Sequence, residues 1–212
     1  MTSRTSISFR ARFIVIAVVG VMLGLAGCTP GGPPEASQTG SPSASPSVTA
    51  TPTPTPAAVY KPADATGKAQ NVPVPVLPEA AKANSKEGLE AFARYWYQVL
   101  SYAYETGDLT DVQRLSGPNC GLCANLEKVL TAAWSDGKWI VGGRIETPVA
   151  EGKFEASKSS QVTVQAIQQL IEIRRADGSL FQDPTKASNR AMLVVAAFGA
   201  NGWTLIDFGL IH

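Results

Sequence analysis

Residues 29–58 restrict the fold more than any other stretch of this 212-residue chain. Proline, threonine, serine and glycine dominate the segment, aromatic residues are absent, and Val48 is its one large aliphatic side chain. Such a composition cannot bury enough apolar surface to offset the entropy of ordering, and its Thr-Pro alternation favours extended polyproline II. We therefore predict a disordered tether over residues 28–58, so that any folded domain lies after it.

The N-terminus has the features of a signal peptide. Arg4, Arg10 and Arg12 precede an apolar run of fourteen residues, 13–26. That run is too short to span a hydrocarbon core, which takes roughly twenty residues. A basic flank, a short apolar run and small residues at its end are typical of a secretory signal. The sequence predicts a signal peptide over residues 1–27.

The end of the apolar run, Leu25-Ala26-Gly27-Cys28, resembles a bacterial lipobox. The resemblance implies cleavage before Cys28, a diacylglyceryl thioether on its sulfur and an N-acyl chain, and two or more acyl chains hold a protein stably on a membrane. We expect membrane lipid to anchor the chain through Cys28 on the extracytoplasmic face of the cell membrane. The alternative is a plain signal peptide or an uncleaved anchor with an incidental cysteine.

The charge of the mature chain excludes two kinds of partner. Removal of residues 1–27 takes away three of the 18 basic residues and none of the 17 acidic ones, leaving a net charge of −2. This balance does not supply the basic face that nucleic acid requires or a polybasic patch for anionic lipid. We expect no nucleic acid partner, and an unknown ligand or protein of the cell envelope instead.

Residues 59–83 form a second linker of different character. Three prolines in residues 72–78 push the residues before them out of the α region and make this part extended. We expect Val76 and Leu77 to pack against the following domain. The alternative is a proline-rich docking motif for another protein.

The domain, residues 84–212, begins with helical patterns. Asn84 and Glu87 form a capping-box pattern, and the apolar spacing after them predicts a helix that ends near Gly107. Asp108 is placed to cap a short second helix over residues 109–115. A third helix is predicted from about residue 120 to 135. The apolar face of the third helix is predicted to comprise Leu122, Leu126, Val129, Leu130 and Ala133.

The later part of the domain alternates with period two and predicts strands. The four predicted strands are residues 139–149, 162–173, 191–198 and 203–211. Gly142-Gly143 predicts a bend in the first strand, and a change of apolar phase predicts a bulge near Ala166-Ile167 in the second. The third is apolar on both faces and should be central. Ala200-Asn201-Gly202 predicts a hairpin turn before the last strand.

Together these elements predict an α+β domain in which three N-terminal helices pack on a curved, four-stranded antiparallel sheet. The Tyr95-Trp96-Tyr97 centre of the first helix, the Glu105-Thr106-Gly107-Asp108 step and a sheet ending on a Gly-Trp strand resemble the cone-shaped nuclear-transport-factor-2-like fold. With its tether, the arrangement is similar to an uncharacterised family of actinobacterial lipoproteins. Over roughly residues 60–212 the resemblance implies a fold and a location, and no activity.

Cys120 and Cys123 are a C-x-x-C pair at the start of the third helix. A structural disulfide fits an exported chain, because disulfides persist outside the cytoplasm. A thiol-disulfide exchange site is the second reading, since a helix N-terminus lowers the pKa of a thiol. A metal site is the third, but two thiolates require two further ligands and histidine is nearly absent. We predict the disulfide, and no metal or cofactor.

Catalytic candidates are few. The single histidine, His212, ends the chain, where residues are usually mobile. Asp207 lies among apolar neighbours, and a desolvated carboxylate there would have a raised pKa and could act as an acid or base. Its alternative is a solvated position or an ion pair with Arg190 or Arg144.

Four tyrosines of the first helix could line a pocket mouth, although aromatic residues at helical spacing are more often core; they are Tyr95, Tyr97, Tyr102 and Tyr104. The favoured interpretation is a non-enzymatic module that binds a small apolar ligand or a protein in the cell-wall zone. The alternative is a pocket enzyme of the isomerase or hydratase type that uses Asp207. A homodimer through the sheet is a further expectation.

Overall fold

The computed structural model describes residues 58–156 and 158–211. The predictions for the signal peptide, for Cys28, for most of the tether and for His212 lie outside these residues. Within the part that is described, no helix combines the length and the apolar sequence needed to cross a membrane.

Three α-helices follow a short 3₁₀ helix at Glu79–Lys82; they are α1 (Lys86–Thr106), α2 (Thr110–Leu115) and α3 (Gly121–Trp134). The hydroxyl of Ser85 accepts the backbone N–H of Gly88 at 3.1 Å and caps α1. The predicted cap, Asn84, is therefore wrong by one residue. The helix ends, as predicted, at Gly107, whose φ of 77° is left-handed. Glycine adopts that conformation at no steric cost.

Asp108 hydrogen-bonds the start of α2, as predicted, although the helix begins one residue later than predicted and its N-cap position is Leu109. The Asp108 carboxylate accepts the backbone N–H of Thr110 at 2.9 Å, and these Thr110 hydrogen bonds hold the pKa of Asp108 below its usual range. The predicted apolar face of α3 is partly wrong, because Leu122 and Val129 are 47% and 54% exposed. Cys123 is buried instead and sets a different helical phase, in which Cys123, Leu126, Leu130 and Ala133 face inward.

Seven strands form two antiparallel sheets, so the predicted packing of three helices on one four-stranded sheet is wrong. The strands are β1 (Trp139–Gly142), β2 (Ile145–Glu146), β3 (Ala150–Lys153), β4 (Ser160–Gln168), β5 (Ile171–Arg174), β6 (Ser188–Gly199) and β7 (Gly202–Leu210). The larger sheet has the order β2-β4-β6-β7, with β3 also paired to β4. The smaller sheet pairs β1 with β5.

The predicted bend at Gly142-Gly143 is confirmed, and it explains the division into two sheets. Both glycines have a φ of 80°, and a Cβ on Gly142 would overlap the carbonyl oxygen of Leu170. Across the bend, Gly143 N–H donates to Leu170 O at 3.0 Å, and Gln169 N–H donates to Arg144 O at 2.9 Å. The predicted strand 139–149 is therefore divided into β1 and β2, and the predicted strand 162–173 into β4 and β5. One part of each belongs to the smaller sheet and the other to the larger sheet.

The strand β6 is central, as predicted, because it pairs with both β4 and β7. Its pairing with β4 continues through Ala166-Ile167, so the bulge predicted there is wrong. The hairpin to β7 forms at the predicted turn, with Gly202 at a φ of 92°.

The irregularity lies between β6 and β7 instead. Val195 pairs with Asp207, while the next residue, Ala196, pairs with Leu205. Ile206 is therefore an extra residue on β7. A bulge of this kind shifts the alternation of side chains between the two faces of a strand.

Residues 59–78, which we call the strap, contact the rest of the described chain. Within the strap, Lys61 and Gln70 exchange two backbone hydrogen bonds of 3.0 and 2.9 Å, and the indole N–H of Trp139 donates to Asp64 O of the strap at 3.0 Å. Farther along, Leu77 packs against the hydrophobic core, which confirms its predicted burial. Val76 is 80% exposed, so its predicted packing is wrong. Alternate residues of an extended segment point to opposite sides, and a single side can pack.

The core lies along the inner face of α1. Trp96 is fully buried and Trp203 of β7 nearly so. Trp96 contacts the ring of Phe208, with a centroid distance of 5.0 Å. The largest fully buried side chains besides Trp96 are Phe92, Leu89, Leu130, Ile140 and Leu205.

Candidate functional site

Asp207 lies on the exposed face of β7. Because Ile206 is an extra residue, Phe208 rather than Asp207 continues the inward row and reaches Trp96. The Asp207 carboxylate accepts the backbone N–H of Phe208 at 2.9 Å. Within the described chain it forms no ion pair, and the predicted pairing with Arg190 or Arg144 is therefore wrong. The apolar surroundings on which its acid/base role depends are not at this position.

The Cys120–Cys123 disulfide is confirmed. The two Cα atoms are 5.2 Å apart, and both residues are 2% exposed. The N–H of Cys123 donates to Cys120 Sγ at 3.2 Å, so the pair also caps α3. Exchange requires that a thiolate reach a sulfur atom, and burial closes that approach. Across residues 58–156 and 158–211, no three acidic, histidine or cysteine side chains come together as a metal site requires.

A cavity of about 480 Å³ lies between α1, α3 and the larger sheet. We call it the Tyr97 cavity. Its volume falls in the range of pockets that hold small organic ligands. Half of the side chains around it are apolar, and they come from α1, α3 and the four strands β2, β4, β6 and β7: Leu100, Leu126, Ile145, Ala166, Met192, Phe208 and Leu210.

Tyr97 is one of the residues that line this cavity. The residue is 3% exposed, and its hydroxyl has no hydrogen-bond partner among the described residues. A buried hydroxyl without a partner costs about 1–3 kcal/mol. Burial also raises the pKa of Tyr97 above its ordinary value, so the phenol stays protonated and remains a donor. A residue that lines the cavity therefore carries one buried hydrogen-bond donor without a partner among the described residues.

The opening of the cavity is cationic. Four exposed lining residues, which we call the mouth, are Thr185, Lys186, Arg190 and Leu210. None of the described residues that line the cavity is acidic. Neither Lys186 nor Arg190 takes part in an ion pair within the described part of the chain.

Tyr104 and Gln168 also line the cavity. Gln168 pairs in register with Ser188, which lies between Lys186 and Arg190 in the sequence. Burial raises the pKa of Tyr104, and a hydrogen bond with Gln168 acts in the opposite direction. The cavity therefore has a polar end, where its opening lies, and an apolar interior.

A larger cleft of about 610 Å³ has a different character. Glu105, Arg144 and Glu146 line it, so it carries both signs of charge. Glu105 already accepts a hydrogen bond from the hydroxyl of Tyr60 at 2.7 Å. Burial is the larger cause and this hydrogen bond the next that raise the pKa of Tyr60 to about 12. The Ser101 hydroxyl is also satisfied, since it donates to Tyr97 O and accepts from Ile145 N, both at 2.9 Å. The Tyr97 cavity is the stronger candidate because it has an unsatisfied group.

The family of unknown function DUF6318 matches residues 58–208. The chain belongs to this family. A comparison with the curated proteins finds no match. The match includes the strap, the larger cleft, the disulfide and all of the described lining of the Tyr97 cavity except Leu210. It confirms the prediction that the chain belongs to an uncharacterised family. It begins after the predicted signal peptide and most of the predicted tether.

The four tyrosines singled out in the sequence have three different environments in this DUF6318 member. Tyr95 is buried in the core, Tyr102 lines the larger cleft, and Tyr97 and Tyr104 line the Tyr97 cavity. The helical spacing places Tyr97 and Tyr104, seven residues apart, on one face of α1.

Sequence reasoning missed the cationic mouth, although part of its signal was present. Val194 and Ala196 of β6 are fully buried. Extending their alternation backwards places Met192 and Arg190 on the same face, and both line the cavity. Lys186 precedes the strand, where no periodicity applies, and its position depends on the fold of the loop.

Proposed function

We propose that this DUF6318 protein is an exported, lipid-anchored binding module that holds a small apolar ligand in the Tyr97 cavity. The observation that carries the proposal is the Tyr97 hydroxyl, a buried donor without a partner among the described residues, on a side chain that lines the cavity. Apolar pockets with a few placed polar groups are typical of small-molecule sites. A ligand with an oxygen acceptor would accept a hydrogen bond from this hydroxyl and offset the free-energy cost of its burial.

The proposed location rests on the N-terminal sequence. Cys28 ends a lipobox-like motif, and residues 29–58 could extend to roughly 90 Å at about 3.1 Å per residue. The domain would then work in the cell-wall zone, away from the bilayer surface. Metabolic labelling with a palmitate analogue should mark the wild-type protein and not Cys28→Ala. Equal labelling of both would reject the anchor.

Binding is favoured over catalysis by the chemistry of the lining. The titratable groups of the cavity among the described residues are Tyr97, Tyr104, Lys186 and Arg190, and none of them is a carboxylate or a histidine, the usual general bases. The isomerase or hydratase alternative required a desolvated Asp207, and that carboxylate is exposed. The cavity can hold and orient a ligand by apolar contact and hydrogen bonding.

A dye-binding experiment tests the proposal. The probe is 1-N-phenylnaphthylamine, a neutral apolar dye, added to mature protein (residues 28–212) that carries Cys28→Ser to prevent lipidation. We expect saturable fluorescence enhancement that Ala166→Phe removes, because Ala166 is 8% exposed and lines the cavity. Thr163→Phe on the exposed face of the same strand is the matched control and should bind normally. Absence of saturable binding by the parent protein would reject the function.

Homodimerisation through the sheet stays a prediction. Light scattering on the same preparation measures the mass in solution and distinguishes one copy from two.

A further inference from the structure

We propose that the ligand of the Tyr97 cavity is an amphipathic anion, with its charged head at the mouth and an oxygen acceptor in its apolar part opposite Tyr97. This inference rests on the proposed binding function and specifies the class of ligand. Three features carry it: the cationic mouth, the apolar interior and the unpartnered hydroxyl.

The mouth selects the charge of the head. Lys186 and Arg190 are both cationic, both line the opening, and no acidic residue in the described lining neutralises them. The mature chain as a whole has a net charge of −2, so the local excess of positive charge is not a general property of the surface. Arginine binds a carboxylate or phosphate through two parallel hydrogen bonds. Either anionic head would fit this chemistry.

The position of Arg190 supports a ligand role over a role in solubility. It occupies the inward row of β6, two residues before Met192 and four before the fully buried Val194. On the neighbouring strand it pairs with Ala166, which lines the same cavity. An arginine that continues the apolar row of a sheet, and that has no carboxylate partner among the described residues, lies where the head of an amphiphile would end.

The interior determines what the apolar part must carry. Tyr97 and Tyr104 are seven residues apart on α1, which corresponds to about 10 Å along the helix axis. Tyr104 is at the polar end of the cavity with Gln168. A molecule whose head binds at the mouth therefore reaches Tyr97 with atoms about 10 Å farther in. A hydroxyl or carbonyl oxygen at that depth would accept the Tyr97 hydrogen bond, and a plain hydrocarbon would leave it unmade.

Titration calorimetry on the mature Cys28→Ser protein tests each part separately with ten-carbon probes below their micellar concentrations. Decanoate and decyl phosphate carry anionic heads, 1-decanol is neutral, and decyltrimethylammonium is cationic. We expect both anions to bind roughly tenfold or more tightly than the neutral and cationic probes. The double variant Lys186→Gln, Arg190→Gln should abolish this preference, and Arg190→Lys should retain part of it. The stronger of the two anions identifies the head group.

A second comparison tests Tyr97. We expect 10-hydroxydecanoate to bind roughly three- to tenfold more tightly than decanoate, because its terminal oxygen accepts the buried hydroxyl. Tyr97→Phe should remove this difference while binding decanoate at least as well. Tyr102→Phe is the matched control, since Tyr102 lines the other cleft, and it should leave the difference unchanged.

The outcomes separate this inference from the proposed function. Equal binding of decanoate, 1-decanol and decyltrimethylammonium would overturn anion selection and leave apolar binding in place. Equal binding of decanoate and 10-hydroxydecanoate to the parent protein would overturn the role of Tyr97. Failure of every probe, together with failure of the neutral dye, would overturn the binding function itself.

Discussion

Replacement of Tyr97 by phenylalanine should stabilise the ligand-free protein, although most substitutions in a core destabilise. The tyrosine ring is 3% exposed and its hydroxyl has no hydrogen-bond partner among the described residues. In the unfolded chain the same hydroxyl is hydrated. Folding therefore takes it from water into an apolar enclosure without compensation, and Tyr97→Phe removes this unfavourable change while keeping the ring and its packing.

The expected gain follows from the cost of an unsatisfied buried group, about 1–3 kcal/mol. Loss of a few van der Waals contacts of the oxygen reduces it, so we expect the free energy of unfolding to rise by about 1–2 kcal/mol. For a domain of this size, each kcal/mol changes the Tm by about 2–4 °C, which predicts an increase of about 2–8 °C. Urea unfolding of the mature Cys28→Ser protein, followed by tryptophan fluorescence, measures the change directly.

Tyr95→Phe is the matched control on the same helix. Tyr95 is also 3% exposed, but its hydroxyl is not a buried group without a partner, and the charges of Asp111 and Arg114 act on it. Its loss should reduce the free energy of unfolding by about 1 kcal/mol. If Tyr97→Phe destabilises the ligand-free protein as much as Tyr95→Phe does, then the Tyr97 hydroxyl has a partner in solution, and the argument from an unpaired donor fails.

Three other perturbations address the bend, the disulfide and the strap. Gly142→Ala should lower the free energy of unfolding by at least about 2 kcal/mol, because a φ of 80° is unfavourable for alanine and its Cβ would overlap a carbonyl oxygen; urea unfolding measures the loss. Reduction of Cys120–Cys123 should cost at most about 2 kcal/mol, because the loop that it closes is short; thermal scans with and without reductant measure it. The pKa of Tyr60 is raised to about 12 from an ordinary 10, so the neutral form favours folding; its contribution should be complete below pH 10 and disappear as the pH rises through 12, and Tyr60→Phe should remove that alkaline dependence.

Each of these predictions has a control. Gly199→Ala introduces a Cβ with nothing within 4 Å, so it should change stability far less than Gly142→Ala; equal losses would contradict the steric argument. A loss above about 4 kcal/mol on reduction would show that the disulfide does more than close a loop. If the free energy of unfolding falls at alkaline pH by the same amount in Tyr60→Phe and in the parent protein, the titration belongs to another group.

Features set by neighbouring residues could be predicted from the sequence. The Asp108 cap, the left-handed Gly107 and the Gly142-Gly143 bend depend on backbone geometry within a few residues. The Cys120–Cys123 disulfide is of the same kind. The Asn84 prediction missed by a single position, because Ser85 next to it caps equally well.

Features set by pairing between distant strands could not be predicted in this way. The bulge at Ile206 is a property of the register between β6 and β7, and alternation along β7 alone does not reveal it. For the same reason Asp207 was open to two interpretations, and the structure turns it to solvent. The division of the strands around Gly142 between two sheets could also not be predicted from one strand, because it depends on how the partner strand pairs on each side of the bend.

The candidate site shows the same limit. Tyr97 was recognised as a pocket or core residue, but its missing hydrogen-bond partner is a property of the surrounding elements. Arg190 follows from the period of β6 once its inward face is known. Lys186 follows from the fold of the preceding loop, for which the sequence has no periodic signal.

The strap has a mechanical consequence. Tension applied through the chain before residue 58 acts first on the strap, whose attachments to the rest of the domain include the Tyr60–Glu105 hydrogen bond and the hydrogen bond from the Trp139 indole to Asp64 O. These are few compared with the ladders of the larger sheet, so we expect the strap to detach at lower force than the sheet. Detachment of the strap, residues 59–78, would add about 70 Å of contour length. Optical-tweezer pulling from the N-terminal side should record this short extension before the main unfolding event, and a single event would show that strap and sheet yield together.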